Sequence, residues 1–356
     1  MHNGRVRHSV TIRDVARLAK VHPGTVSRAL NPDTRALVNA ATAERVADAA
    51  AQLGYQPNPI ARGLKTNRSF TVGVLVPDIT NPLFPPILRG IEDRLSRSGY
   101  TTLIVNTDND SERERAALET MRARHVDGFI TATARLEERV LSGFALSGTP
   151  IVLVNRGLED GSLPMVGVDD RAGTLLAVEH VSSLGHRQIG HVAGPQDTST
   201  GHQRYLGFLD AVASCGLDVE ACPVSFASAF TEAGGARACA ELFADGRELT
   251  AIVAANDLLA LGCYDVLAQR GMRCPEDLSV VGFNDIPFID RLRPPLTSVR
   301  VPQRDIGAAA GDLLLECLAD PAAGRQIWLE PTLVVRGSTA APRDPRRGSG
   351  TERLPA

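Results

Sequence analysis

Apolar residues open the chain at helical intervals. Ile12, Val15 and Ala19 recur with that spacing, Val26 and Leu30 stand four apart, and Val46, Ala50 and Leu53 repeat it before Gly54. The pattern predicts three short helices. Thr11 can cap the first, with Asp14 in its first turn. Lys20-Val21-His22 makes a corner, and Pro23 sits at the first position of the second helix, where its missing N–H costs little. Asn31-Pro32-Asp33-Thr34 reads as a loop, and the third helix runs through about residue 53. From residue 71 the texture changes to short β-branched runs: 71–77, 101–107, 127–133, 150–156, 165–169, 188–194, 251–256 and 278–285. These read as buried parallel strands. The segments between them, such as 87–100, suit crossover helices, which is the signature of doubly wound α/β units.

Charge divides the chain at the same place. Residues 1–68 hold eleven Lys and Arg against four Asp and Glu; of the totals of 38 and 41, 27 and 37 remain for the rest. A basic head on an acidic body points to a polyanionic partner for the head alone. In the second predicted helix Val26 and Leu30 face inward, which leaves Gly24, Thr25, Ser27 and Arg28 free to meet something outside. Two short helices with such a face describe a helix-turn-helix reading the major groove of DNA.

The ordered run T-I-R-D-V-A-x-x-A-x-V-x-x-x-T-V-S-R-A-L-N over residues 11–31 resembles the N-terminal domain of the LacI/GalR family of bacterial transcription regulators. Further matches lie at 76–84 (VPDITNPLF), 126–128, 180–195 (HVSSLGHRQIGHVAGP), 204–208, 254–262 (AANDLLALG) and 280–287 (VVGFNDIP), so the resemblance extends from residue 10 to about 338. It implies an α/β fold: an N-terminal helix-turn-helix domain, then a body of two doubly wound parallel-sheet subdomains hinged around a ligand cleft, similar to periplasmic binding proteins. The expected layout is a flexible arm at 1–9, the DNA-binding domain at 10–57, a hinge helix at 58–69, the effector-binding and dimerisation domain at 70–339, and a disordered tail at 340–356.

The resemblance implies head contacts to double-stranded DNA from Thr11, Pro23, Gly24, Thr25, Ser27, Arg28 and Asn31. Guanidinium geometry suits Arg28 to a guanine or a phosphate, while Thr25 and Ser27 are better placed for phosphates. Two departures stand out. His22 replaces the Ser of many members and is expected to cap more poorly. Pro23-Gly24 offers almost no side-chain hydrogen bonding for base readout. In the hinge, Asn58 and Pro59 make a good helix start, but about two turns are too few to be stable alone, and Gly63 costs about 1 kcal/mol more. Such a segment should fold only when docked on DNA against its dimer mate. The resemblance then implies contacts from Asn58, Ala61, Arg62, Leu64 and Lys65, with Leu64 as an apolar wedge entering the minor groove and Arg62, Lys65 and Arg68 on flanking phosphates.

For the cleft, the resemblance places ligand contacts at the carboxyl ends of strands. The candidates are Asp78, Asn81, Phe84, Asn155, Arg156, Arg204, Phe230, Asn256 and Asn284. Arg204 ranks first, because one fixed guanidinium can grip a carboxylate or two hydroxyls. Phe84 and Phe230 suit core and pocket equally, Asp257 reads as the cap of the helix that follows it, and Asp285 reads as holding its own loop. Asn155 and Asn284 stand where several sugar-binding relatives carry Asp, which makes the cleft more electropositive. A polar or anionic metabolite is expected: a sugar, a sugar acid or another carboxylate.

Other classes fit less well. Six cysteines without C-x-x-C spacing or nearby histidine pairs read as reduced thiols of a cytoplasmic protein, with no metal and no cofactor expected. The first residues lack the apolar core of a signal peptide and no run is long enough to span a membrane, which with the basic head argues against an exported solute-binding protein. No nucleophile elbow, P-loop or dinucleotide-binding glycine fingerprint marks an enzyme, and His186 and His191 match family positions without catalytic meaning. The expectation is a ligand-responsive homodimeric repressor with no membrane partner. Nothing resembles the apolar heptads of a tetramerising coiled coil.

Overall fold

The computed structural model describes residues 10–31, 34–55, 68–137, 140–146, 148–244 and 246–343. The chain forms two compact units that divide between Ser69 and Phe70. In the first, α1 (Ile12–Ala19), α2 (Pro23–Leu30) and α3 (Ala40–Leu53) surround a small core. Val15, Val26 and Val46 are its fully buried centre, and Ala16, Ala19, Ala29, Ala43, Ala49 and Ala50 pack round them. The many alanines let three short helices approach closely. Lys20 ends α1 in a left-handed conformation with φ 54°, and Gly54 ends α3 at φ 64°, where the lack of a Cβ removes the steric penalty.

The second unit holds two six-stranded sheets. The first contains β1 (Thr71–Val76), β2 (Thr101–Asn106), β3 (Gly128–Thr131), β4 (Ile151–Val154), β5 (Met165–Val168) and β11 (Gln326–Leu329), in the order β11-β5-β4-β3-β1-β2. The second contains β6 (Ile189–Ala193), β7 (Val224–Phe226), β8 (Ala251–Ala254), β9 (Ser279–Asn284), β10 (Thr297–Arg300) and β12 (Thr332–Val334), in the order β12-β10-β9-β8-β6-β7. All pairings are parallel except β10 with β12. The chain passes between the sheets three times: after β5, after β10, and between β11 and β12.

The eight predicted strands all form. The run at 101–107 is an exception in burial only: β2 is an edge strand, half exposed, with Ile104 at 46%. Four strands escape the sequence pattern. β7 and β12 are three residues long, and β10 and β11 carry polar residues, so none makes an apolar run.

Crossover helices follow the alternation: α4 (Phe84–Ser96), α5 (Ser111–Ala123), α6 (Val140–Leu146), α7 (Asp170–Ser183), α8 (Ser199–Ser214), α9 (Glu232–Leu242), α10 (Asp257–Gln269) and α11 (Gln303–Ala319). Helices α4 and α11 touch backbone to backbone. A Cβ on Gly90 would lie 2.1 Å from the Arg304 carbonyl oxygen, and one on Gly307 would lie 2.0 Å from that of Ile87. Ordered structure also extends past the expected tail boundary. The Ala340 carbonyl pairs with His186 Nε2 at 2.8 Å, the Ala340 N–H donates to Ser279 Oγ at 3.1 Å, and Arg343 pairs with Asp277. Composition suggests disorder from 340, but these bonds tie residues 340–343 to the second sheet.

Among the described residues no helix is long and apolar enough to cross a membrane, and no group of His, Cys, Asp and Glu assembles as a metal site. All six cysteines are free.

Candidate nucleic-acid interface and ligand cavity

In the head, Thr11 and Arg28 are exposed, and Pro23, Gly24, Thr25, Ser27 and Asn31 are half exposed. The polar face of α2 is therefore open to solvent, as the spacing predicts. Asp14 accepts from the backbone N–H of Thr11 at 3.0 Å and from its hydroxyl at 2.7 Å, anchoring the start of α1. His22 does supply a cap. Its Nδ1 accepts from the Gly24 N–H at 3.0 Å, so the imidazole caps α2 as a serine hydroxyl would. A neutral ring nitrogen is an adequate acceptor, and Gly24 leaves room for the ring: a Cβ there would come within 3.2 Å of Nδ1. The candidates Asn58, Ala61, Arg62, Leu64 and Lys65 lie outside the described residues.

In the second unit, Asn81, Phe84, Asn155, Arg156, Arg204, Phe230, Asn256 and Asn284 meet around one cavity, joined by Leu83 and Thr200. Asn155 follows β4, Asn256 follows β8 and Asn284 ends β9, so the carboxyl ends of strands from both sheets supply the lining. Asp78 does not reach it. Its carboxylate accepts from the Thr80 N–H at 2.9 Å and hydroxyl at 2.6 Å, which turns the loop after β1. Thr200 was legible in principle, one helical turn before Arg204 on α8.

Several side chains at the cavity also have local duties. Asn81 Oδ1 accepts from the Leu83 N–H at 3.0 Å. Asn256, rather than Asp257, caps α10, accepting from the Leu259 N–H at 2.8 Å. Asp257 is the first residue inside that helix and is fully buried. Its oxygens accept from Ser298 Oγ at 2.6 Å and the Ile286 N–H at 2.9 Å, and burial pushes its carboxyl up to about 7. Asp285 does hold its loop, through Arg300 at 2.7 Å and Arg336 at 2.6 Å. His191 is buried and stacked on Phe208, with Nδ1 against the Val253 carbonyl; burial pulls it down to about 4, so its ring stays neutral at pH 7.

The two arginines differ. Arg204 commits its donors internally: Nε to Asp170 at 2.7 Å, Nη1 to the Ala255 carbonyl at 2.6 Å and Nη2 to Asn284 Oδ1 at 3.3 Å. The sequence ranks it first among candidates to grip a ligand, yet its charge is already answered by the Asp170 carboxylate. Arg156 donates from Nη1 to Asn109 Oδ1 at 3.2 Å, while its buried Nε has no partner. Burial pulls this guanidinium down to about 10.

Beside the cavity, loops of the first subdomain meet the start of α8. The Leu136 N–H donates to the Asp197 carbonyl at 2.9 Å, the Gly157 N–H donates to Ser199 Oγ at 2.9 Å, and Arg135 pairs with Asp197 at 3.5 Å. These contacts bridge the two subdomains, and the same residues line a larger cavity of about 1200 Å³. The cavity around Arg204 is about 10 Å³, room for one water at most.

Residues 11–58 match the family model for bacterial regulatory proteins of the lacI family, and residues 178–339 match the periplasmic binding protein-like domain. The chain is 34% identical over 335 residues to the HTH-type transcriptional repressor CytR of Escherichia coli K12, covering 94% of this chain and 97% of that one. It is 34% identical to the ribose operon repressor of Bacillus subtilis 168, over 92% of this chain and 98% of the relative. Among solved structures, the lac repressor dimer bound to operator and the anti-inducer ONPF superposes with a TM-score of 0.82 at 27% identity, covering 94% of this chain and 100% of that one.

Proposed function

Because the chain belongs to the LacI family of bacterial transcriptional regulators, we propose that it is a repressor that grips a palindromic operator as a homodimer and changes its hold when a small polar metabolite enters the cavity of the second unit. The relatives it resembles along their whole length are repressors rather than enzymes. Its place of work is the cytoplasm, where the chromosome lies.

One observation carries the ligand half of this reading: residues from the strand ends of both subdomains converge on a single cavity rich in carboxamides and guanidiniums. These are the groups that orient hydroxyls and anions. At about 10 Å³ the cavity is too small for a metabolite, so binding requires the cleft to open and to reclose around its guest. A ligand that favours one degree of closure shifts the population toward it. In a homodimer that shift changes the separation of the two hinge segments and thereby the affinity for the operator. On the DNA side, Arg28 and the open face of α2 would meet the major groove, and Leu64 the minor groove at the operator centre.

Selection of bound duplexes from a random pool by the purified full-length protein tests the proposal. A two-fold palindrome with a fixed central step is expected. Failure to enrich any sequence, with and without pooled metabolites across a range of salt, would overturn it.

A further inference from the structure

The larger cavity, of about 1200 Å³, shares no lining residue with the smaller one. Its volume is that of a roomy small-molecule site. β11 is the open edge of the first sheet, and Gln326 and Trp328 on it form one wall with Met165 of β5. The indole lies over Gly167, where a Cβ would stand 3.5 Å from its Cζ3, yet Trp328 remains 53% exposed. Leu158, Leu163 and Leu206 extend the apolar lining. A tryptophan bared in a concave apolar wall is a platform for a ligand, and its ring face attracts a cation better than any other aromatic face.

Charge selects the guest. Five carboxylates line the cavity, from Glu137, Glu159, Asp169, Asp170 and Asp197, against the guanidiniums of Arg135 and Arg171. Ion pairs reaching beyond the lining add Arg204, which holds Asp170, and Asp210, which holds Arg171. The full count is then six carboxylates against three guanidiniums, and a protonated His202 would still leave an excess of two. Arg135 is matched by Asp197, and Asp169 caps α7. Glu137 and Glu159 are exposed and make no ion pair among the described residues. Asp170 is 8% exposed: one oxygen accepts from Arg204 Nε, and the other makes no hydrogen bond among the described residues. A buried carboxylate oxygen left unanswered in a cavity wall calls for a donor.

We infer that this cavity is a second ligand site, and that its guest is an amphipathic organic cation. The guest is an ammonium or guanidinium compound whose apolar body lies against the leucines and whose charge is received by the Trp328 ring and the Glu137 and Glu159 carboxylates. Exposed carboxylates alone hold a hydrated cation weakly, but a cation over an indole in a water-poor recess is held more firmly. A neutral guest would leave the carboxylates unanswered, and an anion would be repelled by them. Glu137 and Glu159 belong to the first subdomain and Asp170 opens α7 of the second, so the guest ties the two together and favours the bridged form.

Trp328 is the only tryptophan of the chain, so selectively excited intrinsic fluorescence of the full-length protein reads this site directly. The cationic probes are benzyltrimethylammonium and phenethylammonium. Benzyl alcohol is the neutral control, phenylacetate the anion, and spermidine a more highly charged cation without an aromatic body. The expected result is a saturable change in Trp328 emission with at least one aromatic cation, and calorimetric binding about ten-fold tighter than that of benzyl alcohol. The preference should be lost in the double variant Glu137→Gln, Glu159→Gln. In calorimetry, Trp328→Leu should weaken the cation and Trp328→Phe should keep part of its affinity. No saturable binding of either aromatic cation sinks the inference, as does equal binding of benzyl alcohol or phenylacetate. Tighter binding of spermidine would reduce the cavity to an acidic surface. Cation binding that is lost in Asn155→Ala but survives the two glutamine substitutions belongs to the smaller cavity, and the inference then fails while the effector-site reading stands.

Discussion

Asp170 holds Arg204 at 2.7 Å with both side chains almost wholly buried. Removing either partner leaves a buried group without its counterion, at a cost of about 3–5 kcal/mol. Asp170→Asn is therefore expected to lower the thermal midpoint sharply. Arg204→Met should be milder at low pH, because burial already raises the Asp170 carboxyl and favours its neutral form. The double substitution should recover part of the loss. Denaturant unfolding of the four proteins checks this, and simple additivity would show that the pair is not coupled.

The cap on α2 gives a second expectation. His22→Ala removes the acceptor for the Gly24 N–H and should cost about 1 kcal/mol of helix stability, whereas His22→Ser should restore it. Calorimetry of the head's transition, together with DNA affinity across several sequences, separates stability from readout. Loss of binding at a single base position only would make His22 a base reader rather than a cap.

Ser199→Ala leaves the Gly157 N–H without its partner across the cleft. The loss is about 1 kcal/mol of closure, a roughly five-fold shift toward open forms. Effector association and dissociation should both quicken in stopped-flow traces, while global unfolding changes little. Unchanged rates would mean that these contacts do not gate the cavity.

The Asp257 carboxyl is raised to about 7 from an ordinary value of 3.8, with desolvation as the first cause. The folded state thus holds a proton that the unfolded chain has released. The resulting stability is complete below about pH 4 and is lost as pH rises through about 7. Asp257→Asn can keep the Ile286 N–H bonded through its carbonyl and donate to Ser298, so its stability should be flatter between pH 4 and 7. Parallel urea titrations at four pH values would reveal the difference in slope.

The Leu64 wedge predicts a DNA-specific defect. Leu64→Ala should weaken operator binding at least ten-fold more than binding to random duplex, because nonspecific contact is carried by phosphates. Equal losses on both would remove Leu64 from the minor groove.

The parts of the molecule that the sequence made legible share a cause. Buried parallel strands write themselves as β-branched runs, and the three head helices as apolar residues at helical intervals, because burial on a regular element imposes its period on the chain. The cavity residues followed from family positions at strand ends. What stayed hidden was pairing. Asp170 is one of two adjacent acids, and nothing in its sequence neighbours says that it reaches Arg204, 34 residues away. The His22 cap depends on what Gly24 makes room for, which a residue's average preference at a position does not record. Position alone places Asp78 at the cavity, whereas its short side chain satisfies its own turn first.

The packing of α4 against α11 has a consequence during synthesis. Arg304 on the late helix reaches Asp93 on the early one across 211 residues. At about 5–20 residues per second, a ribosome needs roughly 10 to 40 seconds to make the intervening chain. Throughout that interval Ile87 and Ile91 have no α11 to cover them, and Gly90 faces an empty groove. The second subdomain is largely translated before the first can close. The early half must thus wait, with apolar surface exposed, for nearly the last helix of the chain.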